Sequence, residues 1–257
     1  MSFENKVILI TGASNGIGAA AAEYFAKHGA LLALVGQDGQ RFKKVVKKII
    51  ACGVTSEPLV ILGDVTIDAE RIINETIEKY GRLDILINNA GIGIHGTIEN
   101  VKMEDFDTVM TINARSIVAL TQLAVPYLIE SKGNVVNVSS AMTLKTFTNS
   151  MVFSMSKAAL DQFTKCAALH LAEKGVRVNS INLSFIDTDF YTRGGLEKNC
   201  DEYADLVERN IKAHPLDRIG YTKDCVNAIA FLAKDRSNFI TATLLPVDGG
   251  ISLKGDF

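Results

Sequence analysis

Short apolar runs alternate along the chain with longer stretches in which apolar residues recur at helical spacing. The runs Val7–Ile10, Leu31–Val35, Leu59–Leu62, Ile85–Ile87, Val135–Val138, Val178–Ile181 and Leu244–Val247 predict strands. Runs this continuously apolar suit a parallel sheet, because both of its faces are covered. Between them the spacing predicts helices over Gly18–His28, Arg41–Ala51, Asp68–Tyr80, Met103–Glu130, Ser150–Lys174, Glu202–Lys212 and Thr222–Ala233. Gly29, Gly53, Gly81 and Gly175 stand where helix C-terminal caps belong. Repeated strand-then-helix units with right-handed crossovers predict a doubly wound parallel sheet in a three-layer α/β/α sandwich. No linker divides residues 1–257, so a single domain is expected. The longest stretch without a strand, about 184–220, carries Gly194-Gly195. Ligands of open α/β sheets bind beyond the carboxyl ends of the strands, so this segment after the sixth strand is expected to act as a lid or substrate loop.

Composition narrows the classes. Apolar residues make up 47% of the chain and charged ones 22%, enough for a large core and unlike a disordered sequence. The net charge of −2, from 27 basic and 29 acidic residues, gives no reason to expect nucleic acid or an anionic membrane as partner. The basic run Arg41–Lys48 has apolar residues at helical spacing between its lysines and reads as a solvated helix face. Cys52, Cys166, Cys200 and Cys225 are far apart, and the four histidines lack ligand spacing, so reduced thiols and no metal are expected. The apolar run Val7–Ile10 is too short for a secretion signal, and no stretch was expected to reach membrane-spanning length. A cytoplasmic location follows as an expectation.

The first predicted strand runs directly into Thr11-Gly12-Ala13-Ser14-Asn15-Gly16-Ile17-Gly18 and then into an alanine-rich helix. Strand, glycine turn and helix in this order suit a pyrophosphate. Unpaired N–H groups and the positive end of the helix dipole hold the anion, and glycine lets the backbone approach it. A Rossmann-like dinucleotide domain is therefore expected.

Further along stand Asp64-Val65, Asn88-Asn89-Ala90-Gly91, Asn113, Val138-Ser139-Ser140, Ser156-Lys157-Ala158-Ala159 and Pro246-Val247-Asp248-Gly249-Gly250. With the glycine loop, this ordered series resembles the short-chain dehydrogenase/reductase family over nearly the whole chain. The resemblance implies hydride transfer between NAD or NADP and a small alcohol or ketone. It implies that Gly12, Ser14, Gly16, Ile17, Gly18, Asp64, Val65, Asn88, Ala90, Gly91 and Lys157 line the cofactor, with Thr188 at the nicotinamide carboxamide. It also implies a catalytic set of Asn113, Ser140 and Lys157 with a tyrosine four residues before the lysine. Hydride reaching a carbonyl carbon leaves an alkoxide that needs a proton. A phenol with an ordinary pKa of about 10 becomes a better acid/base when a cation four residues on stabilises its phenolate. Here that position is Phe153.

Phe153 keeps the ring and deletes the hydroxyl that passes the final proton, so turnover is expected to fall by about 10²- to 10⁴-fold while cofactor binding survives. Either a deliberate Tyr-to-Phe change or natural loss accounts for it. Two further departures favour divergence: Asn182-Leu183-Ser184 replaces the family's Asn-Pro-Gly, and Ile240-Thr241-Ala242 replaces Ile-Thr-Gly. Tyr191, three residues beyond Thr188, is a candidate substitute phenol. At the end of the second strand Gly36-Gln37-Asp38 offers neither the usual acidic residue nor an arginine, with Asp38 late and Arg41 later, so NAD and NADP both stay open. The alternative to an impaired oxidoreductase is a cofactor-binding protein without turnover, sensing nicotinamide or holding an apolar ligand. Apolar residues on several faces of the predicted long helices, such as Ala158, Ala159, Phe163 and Ala167, suit burial in a homodimer or homotetramer.

Overall fold

The computed structural model describes residues 3–54, 56–192 and 197–254. The glycine pair Gly194-Gly195 of the expected lid lies outside them. Seven strands, β1 Val7–Thr11, β2 Leu31–Gly36, β3 Leu59–Leu62, β4 Ile85–Asn88, β5 Asn134–Ser140, β6 Arg177–Leu183 and β7 Leu244–Val247, form one sheet. Its order is β3-β2-β1-β4-β5-β6-β7 and all neighbours are parallel. The order reverses between β1 and β4, and an open α/β sheet takes its ligand at the carboxyl ends beside such a switch point. This is the Rossmann-like single domain expected from the alternation of patterns.

Among the described residues eight α-helices cover the faces: α1 Gly16–Lys27, α2 Gly39–Ala51, α3 Ala69–Tyr80, α4 Met103–Met110, α5 Ser116–Ser131, α6 Met151–Ala172, α7 Asp201–Ala213 and α8 Thr222–Ala233. One face packs Ile8, Ile10, Ile87, Val136 and Ile181 against Phe25, Cys225 and Ile229. The other packs Leu9, Ala33, Leu86 and Val135 against Leu120, Ala124, Leu128 and Ala168. The alternate residues of each strand thus serve opposite layers, as the pleat requires.

Three expectations are corrected. The predicted helix Met103–Glu130 is interrupted by a π-helical turn, Thr111–Arg115, with Asn113 inside it; such wide turns re-aim a side chain and concentrate at functional sites. The first two helices begin earlier than predicted. Asn15 accepts a bond from Gly16 N, and Asp38 Oδ1 accepts from both Gln40 N and Arg41 N. Side-chain oxygens at these positions stabilise the free N–H groups of a first turn. Finally, the stretch 103–131 does reach spanning length and apolarity, with a mean hydropathy of 1.3 over an 18-residue window. Its Ile117, Leu120, Ala124 and Leu128 are buried in the protein, the pattern of a core helix.

A line of amides and hydroxyls crosses the core between β4, β5 and the helices. Asn88 Nδ2 donates to Asn137 Oδ1 at 2.8 Å and to Thr121 Oγ1 at 3.1 Å, and Asn137 Nδ2 donates to Thr164 Oγ1 at 2.8 Å. All four residues are buried.

Candidate active site

The turn between β1 and α1 is held open by close packing rather than by side chains of its own. Gly12 has φ +64°, and a Cβ there would lie 2.9 Å from Asn89 Nδ2 and 3.0 Å from Ala90 Cα. At Gly18 a Cβ would press on the Gly12 carbonyl oxygen. Asn89 Nδ2 donates to the carbonyls of Thr11 and Gly12, and the Asn89 and Ala90 amides both donate to Thr11 Oγ1. The amides of Ile17 and Gly18 precede the first closed turn and have no helical carbonyl to meet. Two free donors at a helix N-terminus, over a floor without Cβ atoms, fit a pyrophosphate.

Residues after β6 lie across this turn. A Cβ on Gly16 would sit 3.4 Å from Thr188 Cγ2, and Asn15 Nδ2 donates to Asp189 Oδ2 at 2.7 Å. That bond, with the nearby Lys198 ammonium, holds the Asp189 carboxyl below its ordinary range against the opposing effect of burial. Ser14 Oγ faces Gly36 at the end of β2. Asp64 accepts bonds from Gln37 Nε2 and from Thr66, closing the far end of the crevice, and Val65 packs on the core. Asp38 caps α2 and pairs with Arg41 at 3.1 Å. A groove of about 950 Å³ opens there between α2 and β3, lined by Gln37, Phe42, Val46, Ile50 and Leu62 among others. None of the residues of the expected catalytic set lines it, so it is not the reaction site.

Asn113 and Lys157 of that set meet instead at Gly91. A Cβ on Gly91 would lie 3.2 Å from Asn113 Oδ1 and 3.4 Å from Lys157 Nζ. Asn113 holds the loop after β4 by exchanging bonds with Ile92, receiving from its N–H at 2.9 Å and donating to its carbonyl at 2.8 Å. It also donates to Ser156 Oγ on α6. Lys157, buried to 4% exposure, donates one hydrogen from Nζ to the Val138 carbonyl at 2.8 Å. An ammonium has three donors, so it has capacity for a diol such as a ribose edge. Burial pushes its pKa down to about 8, with the Asp161 carboxylate one turn along α6 opposing the shift. Asp161 is itself buried and accepts from Asn182 Nδ2 at 2.7 Å. Ser140 ends β5, and its hydroxyl donates to the Leu183 carbonyl at 3.3 Å.

Phe153 stands on α6 with Lys157 Nζ 5.8 Å from its ring centroid. Phe190 meets it at 5.9 Å between centroids, and a Cβ on Gly93 would touch Phe190 at 3.0 Å. Beyond Phe190, Tyr191 stacks on Phe185 at 4.2 Å with planes 13° apart. Burial raises the Tyr191 phenol well above its ordinary pKa, the wrong direction for a proton donor near neutrality. Tyr191 is thus a packing residue, separated from Phe153 by Phe190 rather than set beside Lys157.

The Asn88 side chain donates into the buried amide line, and Asn89 next to it braces the glycine turn. Sequence reasoning missed Thr11, Asp189 and a buried pair after β6. In that pair His214 Nε2 lies 2.8 Å from Ser184 Oγ, and His214 Nδ1 lies 2.5 Å from the Asn210 carbonyl. The unusual Leu183-Ser184 was the only signal that pointed there.

Comparison with known proteins bears on the whole chain. The family model described as Enoyl-(Acyl carrier protein) reductase matches residues 12–252. An "Uncharacterized oxidoreductase" of Thermotoga maritima is 38% identical over 252 residues, covering 97% of this chain and 98% of that one. The meso-2,3-butanediol dehydrogenase of Serratia marcescens is 31% identical, covering 97% and 96%. Among solved structures, a short-chain dehydrogenase/reductase of unknown function from Caenorhabditis elegans, with cofactor, superposes with a TM-score of 0.92 at 31% identity, covering 99% and 97%.

Proposed function

Since the chain belongs to the short-chain dehydrogenase/reductase family, we propose that it is an NAD(P)-dependent oxidoreductase of small alcohols and carbonyl compounds whose acid/base position is held by Phe153. The observation that carries this reading is the convergence of Gly91, Asn113 and Lys157 beside a glycine turn that fits a diphosphate.

When bound, the nicotinamide supplies or accepts hydride. Gly12, Gly16 and Gly18 give the diphosphate a floor, and the Ile17 and Gly18 amides donate to it. Ser14, Asp64, Val65, Ala90 and Gly91 border the adenosine and ribose, with Asn88 acting from beneath through its neighbour Asn89. Thr188, lying over Gly16, is placed to meet the carboxamide. Lys157 Nζ donates its free hydrogens to the ribose near the nicotinamide. Ser140 offers a hydroxyl to the substrate oxygen as charge grows there. Asn113 fixes the loop after β4, and with it the wall facing Lys157. Residues 184–192 act as the inner edge of a lid, latched to the phosphate turn through Asn15 and Asp189. NAD and NADP remain equivalent in this reading, because Asp38 is engaged as a cap and by Arg41.

Phe153 and Phe190 make the reaction chamber apolar on the side where the family has a hydroxyl, which favours an apolar substrate portion and slows proton delivery. Exposed Met155 and Leu169 on α6, and Val118 and Leu123 on α5, support self-association of the chain.

The test is a side-by-side assay of this protein and Phe153→Tyr with both reduced dinucleotides over a panel of small ketones, with calorimetry of each dinucleotide. The expected result is similar cofactor affinity in both proteins and a gain of at least about tenfold in kcat for Phe153→Tyr, within the 10²- to 10⁴-fold range of general acid catalysis. Failure of both dinucleotides to bind either protein overturns the reading.

A further inference from the structure

Resting on the oxidoreductase reading above, we infer that Ser184 and His214 are the proton-donating pair for the substrate oxygen, working in place of the hydroxyl that Phe153 lacks. Ser184 is the first residue beyond β6. The residue before it, Leu183, is the Cα partner of Ser140 across the sheet, and its carbonyl accepts the Ser140 hydroxyl. Ser140 and Ser184 therefore stand at the carboxyl ends of adjacent strands, where this sheet architecture exposes its reacting groups. Ser184 is half-buried, whereas the imidazole behind it is 2% exposed.

The imidazole is set for proton transfer by its second nitrogen. A carbonyl oxygen only accepts, so the 2.5 Å contact with Asn210 O assigns a hydrogen to Nδ1. Nε2 then has two states. Without a proton it accepts the Ser184 hydroxyl hydrogen at 2.8 Å; with one it donates to Ser184 Oγ and turns the hydroxyl hydrogen outward. The charged group facing the ring is the Asp248 carboxylate, beyond β7, which is 7% exposed and interacts electrostatically with His214. Also against the ring are the Asn210 carbonyl on α7, Ser184 after β6 and the Gly249 backbone, where a Cβ would lie 3.1 Å from the ring. Nε2 is spent on a hydroxyl at the strand end, where the family carries glycine.

The step balances as follows. Hydride from the reduced nicotinamide forms the new C–H bond, and the π electrons of the carbonyl move to its oxygen. That oxygen takes the Ser184 hydroxyl proton as Ser184 Oγ takes the proton from His214 Nε2. The products are the alcohol, an intact serine and a neutral imidazole with Nδ1–H still on Asn210, and solvent returns the proton. Oxidation of the alcohol runs the same transfers backwards. Ser184 is the catalytic residue of the pair, and His214 acts through it.

The experiment compares the parent protein, Ser184→Ala, His214→Gln and Phe153→Tyr/Ser184→Ala. In the parent, imidazole nitrogen NMR without cofactor should show Nδ1 protonated and an Nε2 resonance that shifts on Ser184→Ala. Ser184→Ala should lower kcat about 10²-fold, the lower end of general acid catalysis, with unchanged calorimetric affinity for the dinucleotide. It should also flatten the dependence of the reduction rate on pH. His214→Gln should do the same. In the Phe153→Tyr background Ser184→Ala should cost less than threefold, since the phenol takes over. Equal kcat for parent and Ser184→Ala overturns the pair, as does an Nε2 resonance indifferent to the substitution. Turnover by Phe153→Tyr with none in the parent also overturns it, and leaves the oxidoreductase reading standing. Loss of dinucleotide binding in parent and Phe153→Tyr alike overturns that reading instead.

Discussion

Replacing Lys157 by Met should flatten the alkaline rise in the stability of the protein. Burial holds the folded lysine at about 8 against an ordinary 10.5. Below pH 8 both folded and unfolded chains carry the charge, and the full cost of burying it is present. As pH rises past the folded pKa, the native lysine gives up its proton while the unfolded one keeps it. The unfolded state then binds more protons, so unfolding free energy increases with pH until the unfolded lysine also titrates near 10.5. With 1.36 kcal/mol per unit, the wild-type chain gains about 3 kcal/mol over this window from Lys157 alone. The Met variant loses the bond to the Val138 carbonyl at every pH, which displaces its curve without tilting it. Other lysines and tyrosines titrate in both proteins and cancel in the difference. Urea unfolding at half-unit steps from neutrality to the upper limit of the window measures it. Curves that stay parallel for the two proteins refute a buried, depressed lysine.

Ala242 adopts φ +61° where the family usually has glycine. A left-handed alanine costs about 1 kcal/mol, partly offset by the looser unfolded chain that glycine brings, so Ala242→Gly should raise Tm by about 2 °C by calorimetry; no change, or a fall, contradicts the strain. Gly12→Val adds a β-branched side chain at φ +64° against Asn89 and Ala90. Strain and overpacking of about 3 kcal/mol should weaken dinucleotide binding roughly a hundredfold in calorimetry, and undiminished affinity argues against the glycine turn as the diphosphate floor.

The layers of the fold were legible because strand runs such as Val7–Ile10 and Leu31–Val35 are apolar on both faces and helix stretches repeat at helical spacing. Element ends were less so. Asn15 and Asp38 start their helices early through side-chain bonds that periodicity does not register. The π-helical turn at Asn113 was invisible for a related reason: apolar residues stand on more than one face of 103–131, so the change of phase at the turn leaves no clear break in the pattern. For the site, ordered motifs picked out Gly91, Asn113 and Lys157, which do come together. They named Asn88 by its place in a motif, without indicating that its Nδ2 also ties the core together. Ser184 stood out by its departure from the family's pattern, but His214, 30 residues on, carries no local signature, because their meeting depends on α7 and the turn after it folding back to the sheet.

The buried line from Asn88 through Asn137 to Thr164 acts as a vernier for the sheet. Apolar strands alone tolerate sliding by two residues, since the same faces remain inward. Here such a displacement would strand amide groups in a dry interior, at roughly 1–3 kcal/mol apiece. Only one alignment of the neighbouring strands is comfortable. The serine at the tip of one and the glycine beyond the other are therefore calibrated from the middle of the molecule, far from any solvent-facing loop.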